Sequence, residues 1–185
     1  GHTNASLALV AELNDLKYLD GGFGAVTDEG FRRLSSLKQL ETLVMYHARF
    51  SPEFCGVEGL RALGELPNLT SLTLGGSIQP SQDCLLELAK LKHLKEFNVR
   101  YFPAKAVADG TLTKFAHLEV LGIEKSGLTD AHVVQFTDFL HLRKLSIRGN
   151  EITVDGLASL RKLLPKCQII SDHGTFEPTV AAMSP

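Results

Sequence analysis

The chain has 185 residues, 44% hydrophobic and 22% charged, a balance that excludes disordered and collagen-like chains. Its 19 basic and 21 acidic side chains leave a net charge of −2, which argues against binding nucleic acid or a membrane surface through bulk charge. No apolar run approaches the roughly 18 residues of a membrane span, and Cys55, Cys84 and Cys167 lack the spacing of a zinc or redox site, so free and mostly buried thiols are expected.

The chain starts Gly1-His2-Thr3 without Met, which leaves open a removed signal peptide and therefore either a cytoplasmic or an exported protein. Leu7 and Val10 then occupy one face of a short helix. From Leu13 onward the pattern Leu-x-x-Leu-x-x-Leu-x-apolar recurs, opening at Leu13, Leu37, Leu66, Leu91, Phe115 and Phe139 in steps of 24, 29, 25, 24 and 24 residues. Self-similarity at such a period marks a stack of small units that share one continuous core.

Within each unit the segments Leu43-Val44-Met45, Leu72-Thr73-Leu74, Phe97-Asn98-Val99, Leu121-Gly122-Ile123 and Leu145-Ser146-Ile147 carry the alternation of a short strand. The pairs Phe31/Leu34, Leu60/Leu63, Leu85/Leu88, Val133/Phe136 and Leu157/Leu160 then give the i, i+3 spacing of a helix face. Thr27 or Asp28, and Thr129 or Asp130, are suitable N-caps. Two units depart from the frame: the second carries five extra residues within Arg49 to Gly59, and the fourth has Asp109 where an apolar residue is due. One domain is expected, with residues 1–12 as a half-repeat or cap helix, 13–170 as repeats and 171–185 as a C-terminal cap and tail. The half-repeat at the front is read either as a cap or as the end of further repeats upstream.

Residues 5 to 170 resemble the leucine-rich repeat family, and Leu142 to Ile152 match its LxxLxLxxNxI segment residue for residue. Leu128-Thr129-Asp130 and Ile152-Thr153-Val154-Asp155-Gly156-Leu157 are similar to the "LTDxGL" helical half of bacterial and ribonuclease-inhibitor-like members. The resemblance implies a right-handed α/β solenoid of six to seven repeats, with a parallel sheet on a concave face and short helices on the convex back. The family's inward Asn is matched only by Asn150. Ser126 and Ser77 replace it elsewhere, as do Ala48 and Phe102, whose turns are therefore expected to be less regular.

In a stacked parallel sheet, equivalent positions lie about 4.8 Å apart, so the repeats align into columns. One column reads Lys17, Glu41, Thr70, Lys95, Glu119, Arg143 and another Gly22, Tyr46, Gly75, Arg100, Glu124, Arg148. Glu124 between Arg100 and Arg148 reads either as a recognition stripe or as a cross-strand ladder that pairs with itself. A third column, Asp15, Gln39, Asn68, His93, His117, His141, puts three histidines in succession. They read as a metal site, as a pH switch, or as residues that merely bond nearby backbone. Charging them together is expected to cost stability below about pH 6.

Tyr18, Tyr46, His47 and Tyr101 are candidate partner contacts, together with Arg100, Glu124 and Arg148, because Tyr and Arg favour protein interfaces. Phe50 and Phe54 in the long second unit either join them or plug the core. Asn4-Ala5-Ser6 and Asn68-Leu69-Thr70 match the glycosylation acceptor pattern. No nucleophile has a base beside it in any recognised motif, so no catalysis, cofactor or resident metal is expected. The reading is a monomeric, non-catalytic module that displays its concave face to a protein partner. Its rivals are the substrate-selecting part of a larger enzyme assembly, such as a ubiquitin-ligase receptor or bacterial effector, and a structural spacer in an exported bacterial protein.

Overall fold

The computed structural model describes residues 1–49, 53–75 and 80–179. The chain forms two compact units, Gly1–Lys95 and Glu96–Pro185. In the first, the order is α1 (Asn4–Val10), β1 (Tyr18–Gly22), α2 (Asp28–Leu34), β2 (Thr42–Tyr46), α3 (Val57–Leu63), β3 (Ser71–Gly75) and α4 (Gln82–Leu88). Strands β1, β2 and β3 pair in parallel, with Leu19, Leu43 and Leu72 in one register and Gly22, Tyr46 and Gly75 in another. Period-two alternation sends Leu43, Met45, Leu72 and Leu74 into the core, where Phe31, Leu34, Leu60, Leu63, Leu85 and Leu88 from the helices are also buried. Each such side chain contributes about 1.5–3 kcal/mol by leaving water.

Leu13 breaks the expectation for its framework position, being 54% exposed, and Leu9 is exposed as well.

The second unit runs β4 (Glu96–Arg100), α5 (Ala104–Ala108), a 3-10 turn Thr111–Phe115, β5 (Val120–Glu124), a 3-10 turn Asp130–Phe136, β6 (Lys144–Ser146), α6 (Val154–Leu163), β7 (Gln168–Ser171) and β8 (Gly174–Phe176). Strands β4 to β7 are parallel, and β8 folds back antiparallel on β7. Where Asp109 interrupts the helical pattern, α5 ends and Gly110 turns the chain at φ 72° into the 3-10 segment. Ala106, Val107 and Leu112 then fill the core in place of the missing apolar residue. Phe97 stacks on Phe115 at 5.1 Å, and Phe102 meets Phe115 edge-on at 6.1 Å.

Side chains one residue inside the helix N-termini interlock successive repeats. Asn4 Oδ1 accepts from Thr27 N–H at 3.0 Å, and Asp28 Oδ1 accepts from the N–H groups of Gly56 and Gly59 at 2.7 and 2.9 Å. Asp130 accepts from Thr153 N–H at 2.9 Å and from the Thr153 hydroxyl. Glycine at the third helical position makes room for this side chain. A Cβ on Gly30 would stand 2.6 Å from Asn4 Oδ1, one on Gly59 would stand 2.5 Å from Asp28 Oδ1, and one on Gly156 would collide with the Asp130 carboxylate. Thr27, Thr129 and Thr153 hold the N-cap positions, and Asp28 and Asp130, which follow the first two, serve the neighbouring helix.

Four of the turns that leave the strands share one backbone solution. His47, Tyr101, Lys125 and Gly149 all have φ between 49° and 71°. Their amides, where hydrogen-bonded to the adjacent strand's end, are regular: His47 to Gly75 O at 2.8 Å, Tyr101 to Glu124 O at 2.9 Å and Lys125 to Arg148 O at 2.9 Å. The turns before Ala48 and Phe102 therefore begin like the others, contrary to expectation, because the left-handed residue and its amide bond set the geometry and the inward side chain only fills it. Phe102 fills by burial, and its N–H donates to Ser126 Oγ at 2.8 Å. Asn150 bonds four backbone groups. Its Oδ1 accepts from Ser126 and Leu128 N–H, and its Nδ2 donates to Ile123 O and Ile147 O. Ser77 and Phe50 lie outside the described residues.

Candidate protein-binding face

In each unit the sheet has one face against the helices and one turned away from them, and the second face carries the candidate residues. In the first unit it presents Tyr18 and Tyr46, 56% and 45% exposed, among small neighbours such as Thr42, Ser71, Thr73 and Gly75. The Tyr46 ring lies across Gly75, where a Cβ would stand 2.6 Å from its Cδ1. Tyr18 donates its hydroxyl to Asp20 at 3.2 Å, and desolvation followed by the Asp20 charge pushes that phenol up from its ordinary range. His47 stands exposed on the left-handed turn that follows Tyr46.

In the second unit the same face is ionic. Arg100 bonds Glu124 at 3.0 Å in direct cross-strand register, and Glu124 also accepts from Ser146 at 3.3 Å. Arg148 is exposed and makes no ion pair among the described residues. The expected acid between two bases is thus an Arg100–Glu124 pair, with Arg148 contributing the surplus positive charge. Tyr101 is half-buried on its left-handed turn. At the start of the strands in the first unit, Lys17 pairs with Glu41 at 2.9 Å, which raises the lysine's pKa.

The histidine column does not assemble a metal centre: among the described residues no group of three or more His, Cys, Asp or Glu side chains is placed to hold a metal ion. Asn68 in that column donates to Lys38 O of the preceding repeat at 2.8 Å, the backbone-bonding role expected for the position. His117 and His141 instead line a cleft of about 420 Å³ in the second unit, with Glu119, Leu140, Arg143 and Lys166. His93 lines a smaller hollow of about 280 Å³ in the first. Phe54 is half-buried under the guanidinium of Arg49, 4.8 Å from its ring centre. The two glycosylation-pattern amides are already engaged, Asn68 as above and Asn4 with Thr27 Oγ1 at 2.8 Å. All three cysteines are buried and free; burial pushes the thiols of Cys55 and Cys84 up, and that of Cys167 up to about 12. No helix among the described residues is long and apolar enough to cross a membrane.

No family model matches the chain, and no curated protein matches it in sequence. Among solved structures it is similar to a leucine-rich repeat protein of Leptospira interrogans, with 23% identity and a TM-score of 0.54 over 86% of this chain and 38% of that one. It is also similar to an internalin of Listeria monocytogenes, with 18% identity and a TM-score of 0.52 over 89% and 50% of the two chains. A third likeness, 17% identical with a TM-score of 0.56 over 90% and 27%, is to TLR13 solved in complex with a single-stranded RNA. These likenesses show the fold, an α/β leucine-rich repeat solenoid. The chain spans 38% of the Leptospira chain and half of the internalin.

Proposed function

We propose that the chain is a non-catalytic module that binds a protein partner through the sheet face turned away from the helices and the left-handed turns beside it. The observation that carries this reading is Tyr46. Its large amphipathic ring is 45% exposed, rests on Gly75 and is fixed on a central strand, so little side-chain freedom remains to be lost on binding. Tyr18 and His47 join it in the first unit; Arg100, Tyr101, Glu124 and Arg148 serve in the second. A standard interface buries about 800 Å² per partner, on the scale of a sheet face several strands wide.

Buried thiols held in the protonated state offer no nucleophile at neutral pH, which supports a non-catalytic role. The Asp–Gly interlock supports placing the repeats with the bacterial and ribonuclease-inhibitor-like "LTDxGL" type, since Asp130 and Gly156 are the motif's own residues. The TLR13 likeness raises RNA as a ligand class, but a net charge of −2 gives little drive to bind phosphate backbone.

The test is affinity capture from the source organism's extract with wild type and with Tyr46→Ala/Tyr101→Ala. The double variant is expected to keep its circular dichroism spectrum and to lose the captured protein. Undiminished capture overturns the assignment of the face. Co-capture of a catalytic subunit would instead favour the substrate-selecting reading.

A further inference from the structure

The cleft at the strand starts of the second unit has a chemistry that the sheet face does not share. Its floor is rigid, because Arg143 N–H donates to Glu119 O at 2.7 Å and Gln168 N–H donates to Arg143 O at 2.8 Å, which ties the starts of three successive strands together. Around this floor stand His117, His141, Arg143 and Lys166, with Glu119 the single carboxylate. Lys166 continues the histidine column, since Leu164-Pro165-Lys166-Cys167 aligns with Leu66-Pro67-Asn68-Leu69. Arg143 and Lys166 are exposed, and among the described residues neither makes an ion pair or a side-chain hydrogen bond. The apolar lining is the buried Leu142 and Leu140, the latter 82% exposed beside this charge.

We propose that this cleft binds an acidic peptide segment bearing both carboxylate and apolar side chains. A guanidinium fork matches a carboxylate with two parallel N–H···O bonds, and a lysine adds a point charge. Leu140 gives an apolar side chain a partner that a bare phosphate ion would leave unused. A volume of about 420 Å³ lies in the range of small ligand sites, room for a few side chains but not for a folded domain. His117 and His141 share the cleft with Glu119, Arg143 and Lys166.

The experiment is fluorescence anisotropy with a labelled short peptide of interspersed Asp, Glu and Leu, beside a control in which Asn and Gln replace the acids. The acidic peptide is expected to bind and the amide control not to bind. Arg143→Glu/Lys166→Glu, both exposed changes that spare the core, is expected to lose on the order of tenfold or more in affinity while keeping the same thermal midpoint. Equal binding by wild type and this variant, or no binding of the acidic peptide, overturns the proposal. Displacement of the peptide by inorganic phosphate at comparable concentration also overturns it, making the cleft a phosphate site. The inference does not rest on the sheet-face reading. A Tyr46→Ala/Tyr101→Ala protein should bind the peptide normally, so the two proposals fail separately.

Discussion

Lys125 and Gly149 occupy the same left-handed turn in successive repeats, yet only glycine adopts that backbone without cost. A side chain there sacrifices about 1–2 kcal/mol, so Lys125→Gly should raise the urea midpoint by the equivalent of about 1 kcal/mol. Gly149→Ala should lower it, because the new Cβ also stands 2.6 Å from Lys125 Cγ. A midpoint unmoved by both changes would show that the turn is less constrained than its φ values indicate. At Asn150, replacement by Ala leaves two N–H groups and two carbonyls short of partners, with an expected loss of about 2–4 kcal/mol in chemical denaturation. The role of Asn150 is legible in the sequence through its Gly-Asn turn. The left-handed state of Tyr101 and His47 is not, since bulky residues normally avoid it and only the repeat frame, read across from Gly149, points there. The cysteines should resist a thiol reagent in the native protein and react on unfolding, as burial favours the neutral thiol. Rapid labelling in the folded state would contradict that burial.

At the scale of the element, the helix N-termini decide how repeats mate. The Asp130 carboxylate is held below its usual range by the Thr153 hydroxyl and amide. A depressed folded value means stability that is present above the unfolded value, near pH 4, and lost as pH falls through the folded one. The stability gap between wild type and Asp130→Ala, measured by urea, should therefore be full at pH 7 and shrink in strong acid; a constant gap would discard the assignment. Gly156→Ala should destabilise even though alanine is the better helix former, because Asp130 must leave its place. The sequence offers Thr27 or Asp28, and Thr129 or Asp130, as alternative caps for one helix. The structure gives each a separate task, a distinction invisible until the neighbouring repeat is in view. Leu13 fits the pattern yet stays exposed, because a pattern records what a residue offers and not whether a neighbour arrives to cover it. Lys166 and Leu140 escape a reading that ends its column at His141, although the recurrent Leu-Pro before Lys166 carries the register one repeat further.

For the whole molecule, stability in a repeat stack is close to a sum of nearest-neighbour terms. Amide hydrogen exchange should then be slowest in strands flanked on both sides within their unit, β2, β5, β6 and β7, and faster in β1 and β8. Uniform protection would point to a single cooperative block instead. Leucine spacing makes the fold legible because it is the same physical demand repeated, burial of one strand side and one helix side. The proposed binding chemistry is not repeated, and no periodicity announces it: aromatic in the first unit, ionic in the second, basic in the cleft.

The carboxylate-and-glycine fit also bears on inheritance. Helix α2 carries both a peg for the repeat after it, Asp28, and a notch for the repeat before, Gly30, so a copied module of this kind brings both halves of the joint and can mate with its own duplicate. An insertion that separates peg from notch, or a crossover that changes one alone, leaves a mismatched seam, and this tells a lineage which break points a lengthening gene can tolerate.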